Sequence, residues 1–171
     1  AGKLTIRIYP GSQLGKDEDV LEQARAGANV AVLVDGGRLA PFVKEFGIMG
    51  APYLVDNYDQ VLRLTASPLF KGWVEKLRNA ANLQVLAFDW FQGHRHVLTN
   101  GPVKTPADLA GVKLRMPPGD AWQLLGSSLG ANPTPMAFGE VYTALQTGAI
   151  DGQDNPFPGV NTAKFFEVTG Q

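Results

Sequence analysis

The chain has 171 residues, of which 44% are hydrophobic and 18% charged, and its formal net charge at pH 7 is −1. This composition favours a packed core over intrinsic disorder. The small net charge, without a block of like charge, argues against nucleic acid or an anionic membrane as the main partner. No apolar run reaches the ~18 residues that a membrane-spanning helix needs, so no membrane insertion is expected. The absence of cysteine excludes a disulfide scaffold, a thiolate zinc site and a cysteine nucleophile.

The first elements of the chain predict a βαβ unit. Leu4–Tyr9 alternates in polarity and is rich in β-branched residues, which is typical of a strand. Residues 16–27 open with acidic side chains and close on Gly27, a pattern that favours a helix. Asn29–Val34 is a short continuous apolar run, as in a parallel strand buried on both faces.

The middle of the chain predicts helix and then strand. Asp59–Asn79 has a largely helical pattern that is interrupted near Ser67-Pro68. Leu83–Phe91 is a long apolar run and predicts a strand. A shift in character near residues 92–99 marks a candidate boundary between two lobes.

The second half alternates shorter strands and helices. Strands are predicted at residues 96–100, 112–118 and 149–152, and helices at residues 104–111, 120–130 and 138–145. Phe138, Val141, Tyr142 and Leu145 share one face of the last helix, and Gly148 is a natural C-terminal cap. The fold class is therefore α/β with mostly parallel strands.

Polar residues follow several of the predicted strands. Ligands of open α/β sheets bind beyond the carboxyl ends of the strands. An arginine, an acid or an amide stands at four such ends: Asp35 with Arg38, Gln92 with His94 and Arg95, Arg115, and Asp154 with Asn155. Such strand-end groups could converge on one cleft.

The chemistry of these groups is recognition of an organic anion. Arginine binds a carboxylate with two parallel charge-assisted hydrogen bonds, and Asn155 can both donate and accept. Trp90, Phe138 and Trp122 are candidates for the walls of a pocket. Each residue also has an ordinary role, since arginines are usually solvated, asparagines before proline form turns, and Phe138 lies in an apolar helix stripe.

Three motifs for other chemistry fail. The stretch Gly11–Asp17 is one residue short of a phosphate loop and lacks Ser or Thr after the lysine. His94 and His96 could share a strand face, but the sequence offers no clear third metal ligand. No glycine fingerprint for a dinucleotide follows a strand. We therefore predict neither a metal site nor a cofactor.

Five segments, in order along nearly the whole chain, closely resemble the solute-binding proteins of TRAP (tripartite ATP-independent periplasmic) transporters. The most specific of them covers residues 131–156. The segments are PGSQLG (10–15), FGIMGAPYL (46–54), KTPADLAGVKLRMP (104–117), GANPTPMAFGEVYTALQTGAIDGQDNP (130–156) and KFFEV (164–168).

The resemblance implies a periplasmic, two-lobed binding protein of the type II-like class, which carries out no reaction. Such a protein closes over an organic acid and delivers it to the membrane permease subunits of the transporter. Lobe I would comprise residues 1–93 and lobe II residues 94–171, with the hinge near residues 92–99. Members of the family are longer, so the resemblance also implies a partial chain that lacks an N-terminal strand and helix and a C-terminal part.

The resemblance also implies roles for individual residues. Arg115 matches the arginine that forms the main salt bridge to the ligand carboxylate, and Asn155 matches an asparagine that contacts the same region. Arg95, twenty positions before Arg115, matches a further arginine. Phe138 matches an aromatic residue that lines the pocket.

Part of the pattern is similar to that of the sialic-acid binders in the family. Asp35 and Arg38 match an acid and an arginine of those proteins, although Asp stands where Glu is usual, and Asp17 matches another polar contact. The neighbours of Arg95, DWFQGH (89–94), do not match that pattern. A hydroxylated acid such as a sugar acid is thus indicated, and a plain dicarboxylate or a keto acid stays open.

Two alternatives from other functional classes stay open at the level of sequence. An α/β enzyme could use the same cleft, and it would need a general-base pair and a cofactor fingerprint, neither of which the sequence contains. A ligand-sensing domain fused to a signalling module would use the same binding residues.

Overall fold

The computed structural model describes residues 2–170 as a mixed α/β structure. Among these residues no helix is both long and apolar enough to cross a bilayer. The α-helices are α1 Asp17–Arg25, α2 Tyr58–Ala66, α3 Pro68–Ala81, α4 Asp120–Ser128, α5 Val141–Gln146 and α6 Phe157–Thr162. The strands are β1 Arg95–Thr99, β2 Lys113–Met116, β3 Asn132–Pro135 and β4 Gly152–Pro156. Short 3-10 turns cover Gly36–Leu39, Lys44–Gly50, Pro106–Leu109, Phe138–Glu140 and Phe165–Glu167.

The predicted helices of the first half form where local signals place them. The break between α2 and α3 falls at Ser67, as predicted, because the Ser67 hydroxyl accepts a hydrogen bond from the Phe70 amide (3.2 Å) and Pro68 occupies the first turn of α3. Helix α3 ends where Asn82 takes the left-handed conformation, with φ of 54°. These boundaries are decided by capping, which neighbouring residues in the sequence determine.

The first hydrophobic core packs α1 and α3 around the 3-10 turn Lys44–Gly50. Phe46 is fully buried at its centre, and its ring meets the Phe70 ring edge-on with centroids 5.6 Å apart. The buried members are Leu21, Leu39, Val43, Phe46, Phe70, Leu77, Ala81 and Leu83. This core fixes the turn Gly36–Leu39. The turn contains the predicted site residue Arg38 and directly follows the predicted site residue Asp35.

The three strands predicted in the first half, Leu4–Tyr9, Asn29–Val34 and Leu83–Phe91, are not formed in the described structure. No backbone hydrogen bond there joins any of these stretches to another as a ladder. A β-strand is stable only when its backbone forms hydrogen bonds with a neighbouring strand. An alternating pattern of β-branched residues favours the extended conformation but does not supply that neighbour. The predicted βαβ unit is therefore wrong for the described residues, and Leu4, Ile6 and Ile8 are 79%, 77% and 86% exposed.

The second half builds a four-stranded sheet in the order β1-β4-β2-β3. Strand β2 pairs in parallel with both β3 and β4, whereas β1 pairs with β4 antiparallel. Mostly parallel pairing agrees with the predicted fold class. Two details differ: β4 covers residues 152–156, where a strand was expected at 149–152, and β3 was not expected. Strand β3 contains Pro133 and Pro135, which a sheet tolerates at an edge position such as this one.

Two further apolar clusters flank this sheet. One contains Val141 and Ile150, both fully buried, and holds α5 and α6 against the sheet. The other contains Leu114, Met116 and Trp122 and holds α4. Both draw on residues 98–168, whereas the first core draws on residues 21–88. The division into lobes at residues 92–99 stays a prediction.

Gly152 offers a direct test of the β1–β4 pairing. A Cβ atom at this position would lie 2.6 Å from both the Leu98 carbonyl oxygen and Thr99 Cγ2, so either the strands or the side chain must move. We expect Gly152→Ala to lower the free energy of unfolding in urea by about 1–3 kcal/mol, as overpacking does. The matched control is Gly159→Ala in α6, where a Cβ would meet no atom within 4 Å. Equal stability of the two variants would contradict the pairing.

Candidate functional site

The carboxyl ends of β2 and β4 bring the predicted site residues of the second half to one edge. Arg115 lies opposite Gln153, near the end of β2. Because β1 runs antiparallel to β4, its first residue, Arg95, lies opposite Pro156 at this same edge, next to the pair of His96 and Asn155. The sequence analysis placed Arg95 and Asn155 after strands, and this is wrong: Arg95 begins β1 and Asn155 lies within β4. The antiparallel register brings them to the expected edge all the same.

Arg115 is a buried cation without an acidic partner. Its residue exposure is 1%, and its Nε and Nη2 atoms donate to the Met136 carbonyl oxygen at 2.9 and 2.6 Å. No ion pair within 4 Å in the described part of the chain includes Arg115. Burial lowers the pKa of Arg115 to about 10, so the side chain is still charged at neutral pH. A buried charge without a counter-ion is costly, and an anion that binds here would remove that cost.

Arg38 is buried too, but it has three acidic partners. Its Nε atom lies 3.0 Å from Glu18 Oε1 and 3.3 Å from Asp17 Oδ2, and its Nη1 atom pairs with Asp35. Burial raises the pKa of the Asp17 carboxyl, and the neighbouring Glu18 and Asp35 raise it further against the attraction of Arg38. Three carboxylates around one guanidinium leave a surplus of acceptor oxygens, which suits hydroxyl groups as donors.

Arg95 is paired within the protein. Its Nε and Nη2 atoms donate to Asp154 Oδ2 and Oδ1 at 2.6 and 3.1 Å, and Nη2 also donates to the Asp154 carbonyl at 2.7 Å. The two residues are diagonal neighbours across β1 and β4, which places their side chains on one face. The carbon at the centre of the Arg95 guanidinium also lies 4.5 Å from the centroid of the Trp122 ring. The charge of Arg95 is thus balanced, unlike that of Arg115.

Two amides lie beside Arg115 on β4. Asn155 and Gln153 are two residues apart in a strand and so share a face, and Asn155 Nδ2 donates to Gln153 Oε1. Both are buried, Gln153 completely, and Gln153 Nε2 has no hydrogen-bond partner in the described structure. This leaves the side-chain oxygen of Asn155 and both N–H donors of Gln153 Nε2 for further contacts.

The other predicted site residues that follow are exposed rather than buried. Phe138 is 42% exposed, and its ring packs on Phe165 with centroids 5.5 Å apart. Trp90 and Gln92 are exposed and make no hydrogen bond or ring contact with Arg95 or Arg115 among the described residues. Their binding roles stay predictions.

The electrostatic neighbours of Arg115 include Asp154, Arg38, Arg95 and Asp35, so the first and second halves of the chain meet at this site. Of the two histidines in the H-x-H pattern, His96 stacks on Phe157 with ring centroids 3.9 Å apart. Residues 2–170 contain no group of three His, Cys, Asp or Glu side chains arranged to hold a metal ion.

Sequence reasoning missed three contributions. The Met136 carbonyl orients Arg115, and a backbone atom leaves no signal in a sequence. Gln153 is fully buried although polar, and the sequence analysis did not name it as a binding residue. Trp122 was considered only as a pocket wall, but it supports Arg95.

The comparison with protein families gives one decisive match. The family model of the bacterial extracellular solute-binding proteins, family 7, covers residues 1–170. The chain belongs to this family. Its members bind solutes outside the cytoplasm, which is consistent with a site built for recognition.

Individual family 7 proteins resemble the chain over nearly all of its length. The sialic acid-binding periplasmic protein SiaP of Vibrio cholerae is 34% identical over 167 residues, which cover 98% of this chain and 52% of that protein. The C4-dicarboxylate-binding periplasmic protein DctP of Rhodobacter capsulatus is 34% identical over 168 residues, 98% of this chain and 50% of that one.

A crystal structure of a TRAP periplasmic solute-binding protein from Roseobacter denitrificans has 3-deoxy-D-manno-oct-2-ulosonic acid bound. It superimposes with a TM-score of 0.86 and 42% identity over 92% of this chain and 53% of that one. The chain therefore spans about half the length of the proteins it matches.

Asp17 gives the site a pH-dependent stability. The pKa of the Asp17 carboxyl is raised on folding, so the carboxyl loses its proton at a lower pH in the unfolded chain than in the folded one. At neutral pH the carboxylate is ionised, and this charged form disfavours the folded state. We expect Asp17→Asn to be more stable than the wild type at pH 7, with a difference that vanishes below pH ~4, where both states are protonated. Urea unfolding between pH 3 and 8 measures this. The control is Glu75→Gln on α3, an exposed carboxylate; a difference for Asp17→Asn that grows on acidification would contradict the assignment.

Proposed function

We propose that the protein is the periplasmic solute-binding component of a TRAP transporter. It binds an organic acid through Arg115 and delivers it to the membrane permease subunits. The observation that carries this proposal is the difference in ion pairing among three arginines. Arg38 and Arg95 have acidic partners, and buried Arg115 has none among the described residues. A carboxylate from the ligand would complete this site.

The hydrogen bonds already made by Arg115 favour a defined ligand position. Its Nε and Nη2 atoms are held by the Met136 carbonyl, so the guanidinium cannot turn freely. The ligand carboxylate would take the remaining donors, each charge-assisted hydrogen bond contributing about 1.5–3 kcal/mol. Asn155 and Arg95 would orient the carboxylate from β4 and β1, and Phe138 would pack on the body of the ligand.

The acids around Arg38 support a sugar acid as the ligand. Asp17, Glu18 and Asp35 offer acceptor oxygens to hydroxyl groups, whereas they would repel a second carboxylate. Both the sialic acid binder and the protein with bound 3-deoxy-D-manno-oct-2-ulosonic acid take hydroxylated acids of this kind. The dicarboxylate alternative has the support of the Rhodobacter capsulatus relative alone among these three.

The mechanism we propose is a shift of population toward a closed form. Asp35 and Arg38 belong to the first half of the chain, and Arg115 and Asn155 to the second. A ligand that touches both halves favours the form in which they are close, and the permease would respond to that form. No reaction is part of this proposal, and the names of the relatives describe binding alone.

The proposal is tested by a thermal-shift screen of the whole protein against matched ligands. The panel contains galacturonate with its neutral counterpart galactose, together with 3-deoxy-D-manno-oct-2-ulosonic acid, succinate and pyruvate. We expect a rise in Tm with a sugar acid and none with galactose. A rise with succinate alone would reassign the ligand to the dicarboxylates, and a rise with galactose alone would overturn the carboxylate site.

Arg115→Ala should lose most of the affinity for the acid that gives the largest shift. Removal of the buried cation is expected to weaken binding about 30-fold or more, which corresponds to about 2 kcal/mol. Arg115→Lys keeps the charge but not the planar fork, and it should recover only part of the affinity. Isothermal titration calorimetry measures both, with exposed Arg63→Ala on α2 as the matched control. Wild-type affinity in Arg115→Ala would exclude this site.

A further inference from the structure

Trp122 lies where the two halves of the chain meet. It belongs to α4, is 7% exposed, and carries the Arg95 guanidinium over its ring at 4.5 Å. The guanidinium is in turn held by Asp154 on β4. The indole is therefore in direct contact with an arginine assigned to ligand orientation, whereas the sequence analysis considered Trp122 only as a candidate pocket wall.

Three glycines surround the edge of this indole, and we call them the indole seat: Gly37, Gly50 and Gly119. A Cβ atom at Gly37 would lie 3.2 Å from Trp122 Nε1, and one at Gly119 would lie 3.5 Å from Trp122 Cδ1. A Cβ at Gly50 would lie 3.3 and 3.4 Å from Nε1 and Cε2, and its three nearest atoms all belong to Trp122. The indole thus fills the space that side chains would otherwise take.

Gly50 is informative because its backbone does not require a glycine. It is absent from the residues with positive φ, so an alanine there meets no conformational penalty from the left-handed region. What a side chain at Gly50 meets is the indole. A side chain at this position would therefore compete with Trp122 for room.

The indole seat adjoins the group of three carboxylates around Arg38. Gly37 lies between Asp35 and Arg38 in the chain, and its Cβ position would be 2.9 Å from Asp35 Oδ1. Asp35 Oδ1 and Trp122 Nε1 are both buried, and neither has a hydrogen-bond partner in the described structure. One is an acceptor only and the other a donor only, and both lie close to the Cβ position of Gly37, so a movement of the seat that brought them within hydrogen-bonding distance would let the indole N–H donate to the carboxylate.

We propose that Trp122 is a positioning residue for the ligand. Its insertion into the indole seat couples closure of the two halves to the placement of Arg95 and Asp35 around the bound acid. This inference rests on the proposed function, because it assigns Trp122 to the same binding event. In the closed form, the indole N–H bonds to Asp35 while the ring face supports Arg95.

A double-mutant cycle separates this role from simple packing. The probe is 3-deoxy-D-manno-oct-2-ulosonic acid, and its affinity is measured by calorimetry for the wild type, Gly50→Val, Trp122→Ala and the double variant. We expect Gly50→Val to weaken binding at least tenfold when Trp122 is present and less than twofold when it is alanine. The control is Gly47→Ala in the same 3-10 turn, where the nearest atom to a Cβ is Ala40 Cβ at 3.5 Å; it should stay within twofold of wild type.

Trp122→Phe adds a test of the N–H group. It keeps a ring under Arg95 and loses the donor to Asp35, so its affinity should fall between those of the wild type and Trp122→Ala. An equal cost of Gly50→Val in both backgrounds would overturn the proposal, because the added side chain would then act on something other than the indole.

A distance measurement keeps the test independent of the ligand. The chain lacks cysteine, so spin labels can be placed at Glu75→Cys on α3 and Asn161→Cys on α6, both exposed positions. We expect the wild type without ligand to contain a population with a short distance between the labels, and we expect Gly50→Val to deplete that population. In the Trp122→Ala background, Gly50→Val should cause no further depletion. Unchanged distances in all variants would reduce Trp122 to a packing residue. If no acid binds the wild type, the proposed function fails, and the distances still decide whether the seat controls closure.

Discussion

The structure depends on one buried guanidinium, that of Arg115. Arg115 is held by a single carbonyl, that of Met136, at the edge where the parallel strands β2 and β4 end. Burying an unpaired charge costs several kcal/mol, and the rest of the fold must offset that cost. The surrounding clusters do so: Leu114 and Met116, on either side of Arg115 in β2, are both fully buried. An anion that paired with Arg115 would remove part of this cost, and so the cost would contribute to its binding.

Charge is distributed unevenly around that cation. Asp154 neutralises Arg95, and a group of three carboxylates surrounds Arg38. A ligand therefore meets one unbalanced positive charge beside a region rich in acceptors. This arrangement would suit the ligand that we propose, a molecule with a carboxylate at one end and hydroxyl groups along its body, since each part of it would find its complement.

Local features of the structure could be predicted from sequence, and non-local ones could not. The break at Ser67-Pro68 depends on a capping side chain and a proline that are adjacent in the sequence, so the sequence predicted it. Leu4–Tyr9 has the composition of a strand, but strand formation depends on a partner elsewhere in the chain. The boundary of β4 moved for the same reason, because pairing with β1 begins only at Gly152.

The site follows the same rule. Arg115 and Asn155 were predicted from their places at strand ends and from the resemblance to a family, neither of which gives the geometry. The pairing of Arg95 with Asp154 requires the antiparallel register of β1 and β4, and no motif encodes it. Met136 acts through its backbone carbonyl. The glycines around Trp122 act through the side chains that they lack. Neither kind of group has a chemical signature that a sequence pattern could reveal.

The prolines of β3 have a consequence for the outer side of the sheet. The amides of Asn132 and Met136, at either end of this strand, bond to the carbonyls of Val112 and Met116, so the even-numbered positions turn their N–H groups toward β2. The positions that alternate with them are Pro133 and Pro135, which have no N–H to offer. The edge that β3 forms in the described sheet therefore presents carbonyls without matching donors, and a foreign strand cannot extend it. The two prolines thereby disfavour the addition of another strand at this edge.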